Sequence, residues 1–99
     1  MHIHNVYFWL QEDVEGEARQ TFEEGLKSLT HDPAVNSGYF GVPAGTDRDV
    51  VDNTYSYGLF LVFDDIAAHD RYQVGAVHQQ FVQEHSTKWK KVLVYDVIS

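Results

Sequence analysis

The sequence predicts an α+β domain of order β-α-β-β-α-α-β, an antiparallel four-stranded sheet with its helices on one side. Three observations predict it. Apolar side chains alternate with a period of two near the start, in the middle and at the end of the chain. Apolar side chains at helical spacing fill the intervals between. The chain has 99 residues, of which 43% are hydrophobic and 14% aromatic, a globular composition with room for one core and one domain, residues 1–99.

The first strand covers residues 2–10. His4, Val6, Phe8 and Leu10 fall on one face, and Ile3, Asn5, Tyr7 and Trp9 on the other. Asp13 reads as the N-cap of the first helix, with Glu15 and Glu17 at the positive end of its dipole. Val14, Ala18, Phe22, Leu26 and Leu29 follow at helical spacing, and Asp32 and Pro33 stop the helix near Thr30. A second strand spans residues 35–43 and a polar loop residues 44–53. The third strand, 54–63, carries Tyr55, Tyr57, Leu59, Leu61 and Phe63 on one face and Gly58, Phe60 and Val62 on the other. Asp64 and Asp65 cap a short helix over 66–73, and Gly75 breaks it. A longer helix runs over 76–90, where Lys88, Lys90 and Lys91 suit the negative end of the dipole. The last strand is 92–98.

This element order is ferredoxin-like, and the strands are apolar on both faces. Tyr7 and Trp9 oppose Val6 and Phe8; Leu93, Tyr95 and Val97 oppose Val92 and Val94. Helices on one side cover one face only, so the other exposes an aromatic patch unless a partner covers it. A second copy packed face to face gives a dimeric α+β barrel, joined through Tyr7, Trp9, Leu93, Tyr95 and Val97.

Composition excludes several functions. Seven Lys and Arg against 15 Asp and Glu leave a net charge of −8, which argues against nucleic acid and against an anionic membrane surface. With no cysteine there is no disulfide, thiol nucleophile, iron–sulfur cluster or Cys-containing zinc site. The longest apolar run, Leu59 to Phe63, is far shorter than the ~20 residues of a membrane helix. The first ten residues lack the basic flank and cleavage site of a signal peptide, so a cytoplasmic location is expected. Glycines at 38, 41 and 45 do not form a phosphate loop, and no serine lies in a nucleophile-elbow context.

Several segments together resemble the stress-responsive A/B-barrel (Dabb) family. His4 to Leu10 is similar to that family's first strand, and Leu61 to Asp64 to the end of its third. Tyr72, His78 and Phe81 stand where its Y-x-x-H-P-x-H-x-x-F signature has Tyr, the second His and Phe, and Val92 to Asp96 looks like its last strand. The resemblance implies a homodimer of ferredoxin-like subunits. One plant branch of the family consists of polyketide cyclases that perform an aldol cyclisation without a bound cofactor. Carried over residue by residue, their Tyr and His match Tyr72 and His78 as catalytic candidates, and two residues lining their pocket match His4 and Trp89. The chain departs from the signature at Gly75 and Ala76, where the family has His-Pro, and at Tyr57, where the cyclases have a pocket His.

Read as chemistry, Tyr72 and His78 supply what an aldol closure needs: an imidazole to take a proton alpha to a carbonyl, and a phenol to hold the oxygen. The alternative is a structural pair. His78, Phe81, His85 and Trp89 recur at +3, +7 and +11, which puts all four on one inward helical stripe and adds Phe81 to the pocket with His4 and Trp89. No metal site is expected: His2 and His4 share a strand face, but His2 is read as lying at a fraying terminus. Asp47, Asp49 and Asp52 lack the glycine and the glutamate of an EF-hand. Three functions stay open. The first is a cofactor-free protein that binds, and turns over, a small apolar or aromatic carbonyl compound. The second is a non-enzymatic stress or interaction protein whose barrel is filled by its own side chains. The third is a cofactor-independent monooxygenase.

Overall fold

A computed structural model describes residues 1–99. The elements run β1 (His2–Leu10), α1 (Gly16–Thr30), β2 (Ser37–Gly41), β3 (Tyr57–Phe63), α2 (Ile66–Val74), α3 (Ala76–His85), a 3₁₀ turn (Ser86–Lys88) and β4 (Trp89–Ile98). The four strands form one antiparallel sheet in the order β2-β3-β1-β4. This is the ferredoxin-like α+β fold that the alternation and helical spacing predict.

The alternation of β1 decides the layers. His2, His4, Val6, Phe8 and Leu10 are buried beneath the helices, while the residues between them are half-buried on the far face. Tyr57, Leu59, Leu61 and Phe63 of β3 join them, and α1 contributes Phe22, Leu26 and Leu29. Phe22 is the hub of this core. It is fully buried, and its ring lies 5.4–5.7 Å from those of Phe8, Tyr57, Phe81 and His85. Burying a Phe side chain contributes about 1.5–3 kcal/mol. Gly25 lets α1 and α3 approach closely: a Cβ there would sit 2.6 Å from His85 Nε2.

Local chemistry explains where the elements differ from the sequence expectation. The first helix starts at Gly16, and Asp13 is not its cap. The Val14 amide donates to the Gln11 carbonyl, closing a turn, and Gly16 takes a φ of 55°, which interrupts the helical path upstream. The second and third strands are shorter than expected. Tyr55 lies outside β3 and packs against Tyr7 and Trp9 on the face away from the helices, not beside Tyr57. The short helix begins as expected, and of the two aspartates Asp65 is the cap, accepting from the Ala68 amide at 2.9 Å. Asp64 accepts instead from Asn36 Nδ2. Gly75 is extended and separates α2 from α3, the expected break.

The last helix ends five residues early. Lys88 Nζ donates to His85 Nδ1 at 3.0 Å across the 3₁₀ turn, and the Gln11 amide takes the Lys88 carbonyl, which starts the pairing of β4 with β1. Lys90 and Lys91 therefore sit on a strand. Lys90 pairs with Glu12, and Lys91 lies over the Trp9 ring. The chain ends are held too: the Met1 amine donates to the Ser99 carbonyl and the Ser99 amide to the Met1 carbonyl, each at 2.9 Å.

The outer face of the sheet keeps its aromatic character. Residues 54 and 55 fold over one corner, where Trp9 Nε1 donates to Thr54 Oγ1. Beyond that corner Tyr95 and Val97 are 58% and 50% exposed.

Candidate functional site

A pocket of about 200 Å³ opens between the helix-side face of β1 and β4 and the junction of α2 with α3. It opens along the edge strand β4, where Val92 and Val94 face the helix layer yet are each 43% exposed. Ten of the 13 lining residues are hydrophobic. His4, Tyr72, His78, Phe81 and Trp89, the five residues singled out from sequence, all line it.

Different elements deliver them. His4 projects from β1 and Tyr72 from the last turn of α2. The Gly75 break turns the chain so that His78, in the first turn of α3, returns to face Tyr72, with ring centroids 5.0 Å apart. Phe81 lies one turn further. Trp89 reaches the pocket from the start of β4 and not from the helix, so the +11 spacing holds for its position but not for its element. Its ring stacks on Phe81 at 5.9 Å and 19°. His85, the remaining member of the expected stripe, is buried between Phe22 and Phe81 and does not line the pocket. Tyr57 does not line it either. Its hydroxyl accepts from Arg19 Nε and donates to the Glu23 carboxylate.

The two central groups are tuned in complementary directions. Burial pushes the half-buried His78 imidazole below its usual pKa, more than the Gln73 backbone and the Asp32 carboxylate raise it, so the ring is neutral at pH 7. Burial, reinforced by Asp32, pushes the Tyr72 phenol well above its usual value, so it keeps its proton. A neutral base and a protonated donor thus face one apolar cavity, the pairing that proton abstraction beside a carbonyl requires.

Beside His4 the fold assembles a group that sequence spacing did not reveal. His2, His4, His69 and Asp96 bring ligand atoms within 4.8 Å of one another. His2 is not frayed: it is 5% exposed, paired in register between Phe63 and Ile98. His2 Nε2 and His4 Nδ1 both donate to Asp96 Oδ1, at 3.0 and 2.6 Å. Burial raises the Asp96 carboxyl, but the two histidine hydrogen bonds outweigh it and hold the group below the usual carboxylate range. Burial likewise lowers the His4 imidazole against the pull of Asp96. The usable signal was the register, since His4 lies directly across from Asp96 in the β1–β4 ladder.

No helix is long and apolar enough to cross a membrane. No curated protein matches the chain. Among solved structures it is similar to a Dabb family protein with a ferredoxin-like fold from Mesorhizobium loti, with 23% identity and a TM-score of 0.80 over 99% of this chain and 95% of that one. It is similar to a dimeric ferredoxin-like protein of unknown function from Thermobifida fusca, with 14% identity and a TM-score of 0.81 over 99% and 90%. It is also similar to a hydroxynitrile lyase from Passiflora edulis, with 15% identity and a TM-score of 0.82 over 99% and 92%. At these identities the likeness is one of fold. The sequence itself matches the profile of the Stress responsive A/B Barrel Domain (Dabb) family over residues 3–99, and the chain belongs to that family.

Proposed function

We propose that the protein is a homodimer that binds a small aromatic carbonyl compound in the pocket beneath α2 and α3 and removes a proton alpha to its carbonyl, the first half of an aldol closure. One observation carries the reading: His78 and Tyr72 stand 5.0 Å apart, ring to ring, at a cavity that is otherwise almost wholly apolar. His78 takes the proton, and the Tyr72 hydroxyl donates to the oxygen as negative charge develops there. Phe81 and Trp89 supply ring surface for an aromatic group. The volume is below the roughly 300–1,000 Å³ of pockets for drug-sized ligands, which favours a compound of about one ring. An open cavity supports this reading over a barrel filled by its own side chains. The dimer is supported by the exposed Tyr95 and Val97 and by the description of the Thermobifida fusca protein as dimeric.

Exchange of the methyl protons of acetophenone into deuterated water, followed by proton NMR, tests the chemistry with a defined probe. Wild type accelerates the exchange. His78→Ala loses about 10²–10⁴-fold and Tyr72→Phe less, since other donors partly replace a phenol. The two losses are not additive, because both act on one transition state. Exchange that is equal in wild type and both variants rejects the assignment.

A further inference from the structure

We propose that His2, His4, His69 and Asp96 form a binding site for one divalent transition-metal ion of the zinc class, tying the N-terminal strand and the edge strand to helix α2. Three imidazoles and one carboxylate are a donor set suited to such an ion, and four donors complete a tetrahedral shell.

The hydrogen bonding shows what is missing. Both His2 Nε2 and His4 Nδ1 point at one acceptor, Asp96 Oδ1, so each carries its hydrogen there. That leaves His2 Nδ1 as a lone pair, and it is buried with no partner. His69 Nδ1 lies 3.1 Å from Asp70 Oδ1 and donates to it, which leaves His69 Nε2 as a second lone pair, also buried without a partner. His2 and His69 are 5% and 9% exposed, and their rings stack at 4.3 Å. Buried polar atoms are nearly always satisfied, so two orphaned acceptors on adjacent rings call for a donor or a cation. No donor side chain reaches them.

The geometry is close to what an ion needs. Bonds of about 2.0–2.1 Å in a tetrahedron hold the donors about 3.4 Å apart. Asp96 Oδ1 lies inside that distance of His2 Nε2 and His4 Nδ1. An ion there replaces the two hydrogens those nitrogens carry, each proton passing to the ring's other nitrogen or to solvent. The whole donor set, with the free His69 Nε2, lies within 4.8 Å. Asp96 has the freedom to move, with a side chain 41% exposed on an edge strand. The support behind the ligands is present as well. Ligating histidines usually donate their other N–H to a carboxylate, the relation of His69 to Asp70. The site is separate from the Tyr72–His78 pair, although His4 borders both.

Titration of the metal-free, untagged protein with Co²⁺ and Zn²⁺ tests this, read by calorimetry and by the visible absorption of bound Co²⁺. The expected result is one ion per chain with a tetrahedral Co²⁺ spectrum. Asp96→Asn and His69→Gln each abolish the spectrum, and Asp70→Asn, which removes only the outer carboxylate, weakens binding about 10–100-fold. His31→Gln, at an exposed histidine, leaves binding unchanged. Circular dichroism confirms that the variants are folded; Asp96 and Asp70 are exposed enough for their substitutions to be tolerated. Absence of stoichiometric binding overturns the proposal. So does binding that survives both Asp96→Asn and His69→Gln, which would place the ion on the free amine and His2 alone.

Discussion

Tyr95→Asp should split the dimer without unfolding the subunit. Tyr95 sits on the edge strand β4, on the sheet face away from the helices, and is 58% exposed in the single chain. A Tyr side chain buries about 150–250 Å² when fully covered. Covering the exposed 58% therefore removes about 90–145 Å² from water, or about 2–4 kcal/mol at 25 cal/mol/Å². Two-fold symmetry uses the residue twice, which gives about 4–7 kcal/mol per dimer. Area overstates affinity, but the substitution also places two carboxylates in an apolar interface. Since 1.4 kcal/mol is tenfold, Kd should rise at least ~10³-fold. Within the subunit the loss is a strand-propensity effect of about 1 kcal/mol. Sedimentation equilibrium at micromolar concentration checks this: wild type runs as a dimer of the 11.4 kDa chain and the variant as a monomer. Val74→Asp, at a residue 73% exposed on α2, should leave the dimer intact. A monomeric wild type, or a Tyr95→Asp variant with unchanged Kd, refutes the reasoning.

Asp65→Ala removes the acceptor of the Ala68 amide and should cost about 1 kcal/mol, a fall in Tm of about 4–8 °C by calorimetry. Gly25→Ala should lower Tm despite alanine's advantage of about 1 kcal/mol within a helix. The new methyl meets His85 Nε2 at 2.6 Å, and that ring is buried against Phe22 and Phe81, so making room for it disturbs their packing. Stability should fall between pH 7 and pH 5. Burial, then Lys88, lowers the His85 pKa against the pull of Glu84, and burial lowers that of His78. A lowered histidine binds its proton more weakly folded than unfolded, so its contribution is complete above about pH 6.5 and is lost as pH drops toward the folded value. Urea denaturation across this range should show a shallower slope for His85→Gln than for wild type.

The strands were legible because period-two alternation survives any packing: His4, Val6, Phe8 and Leu10 must share a face whatever lies above them. Helix ends were less so. The stripe from His78 to Trp89 continues as if helical, because β4 brings Trp89 back onto Phe81, and no local residue announces that α3 stops at His85. Asp13 looks like a cap, but Gly16 decides the start through its positive φ. Tyr72 and His78 were found by motif, and their approach depends on the break at Gly75, which the sequence does show. The histidine–aspartate group escaped because it needs the β1–β4 register and the seating of α2 over β1. Both are tertiary facts with no local signature.

The most direct test of the proposed site is a crystal structure of the protein with acetophenone. The expected result is the carbonyl oxygen within hydrogen-bonding distance of the Tyr72 hydroxyl, the methyl carbon toward His78, and the ring against Phe81 and Trp89. Ligand found only at the outer-face cleft of Tyr7, Trp9 and Tyr55, or a pocket still empty at saturating concentration, contradicts it.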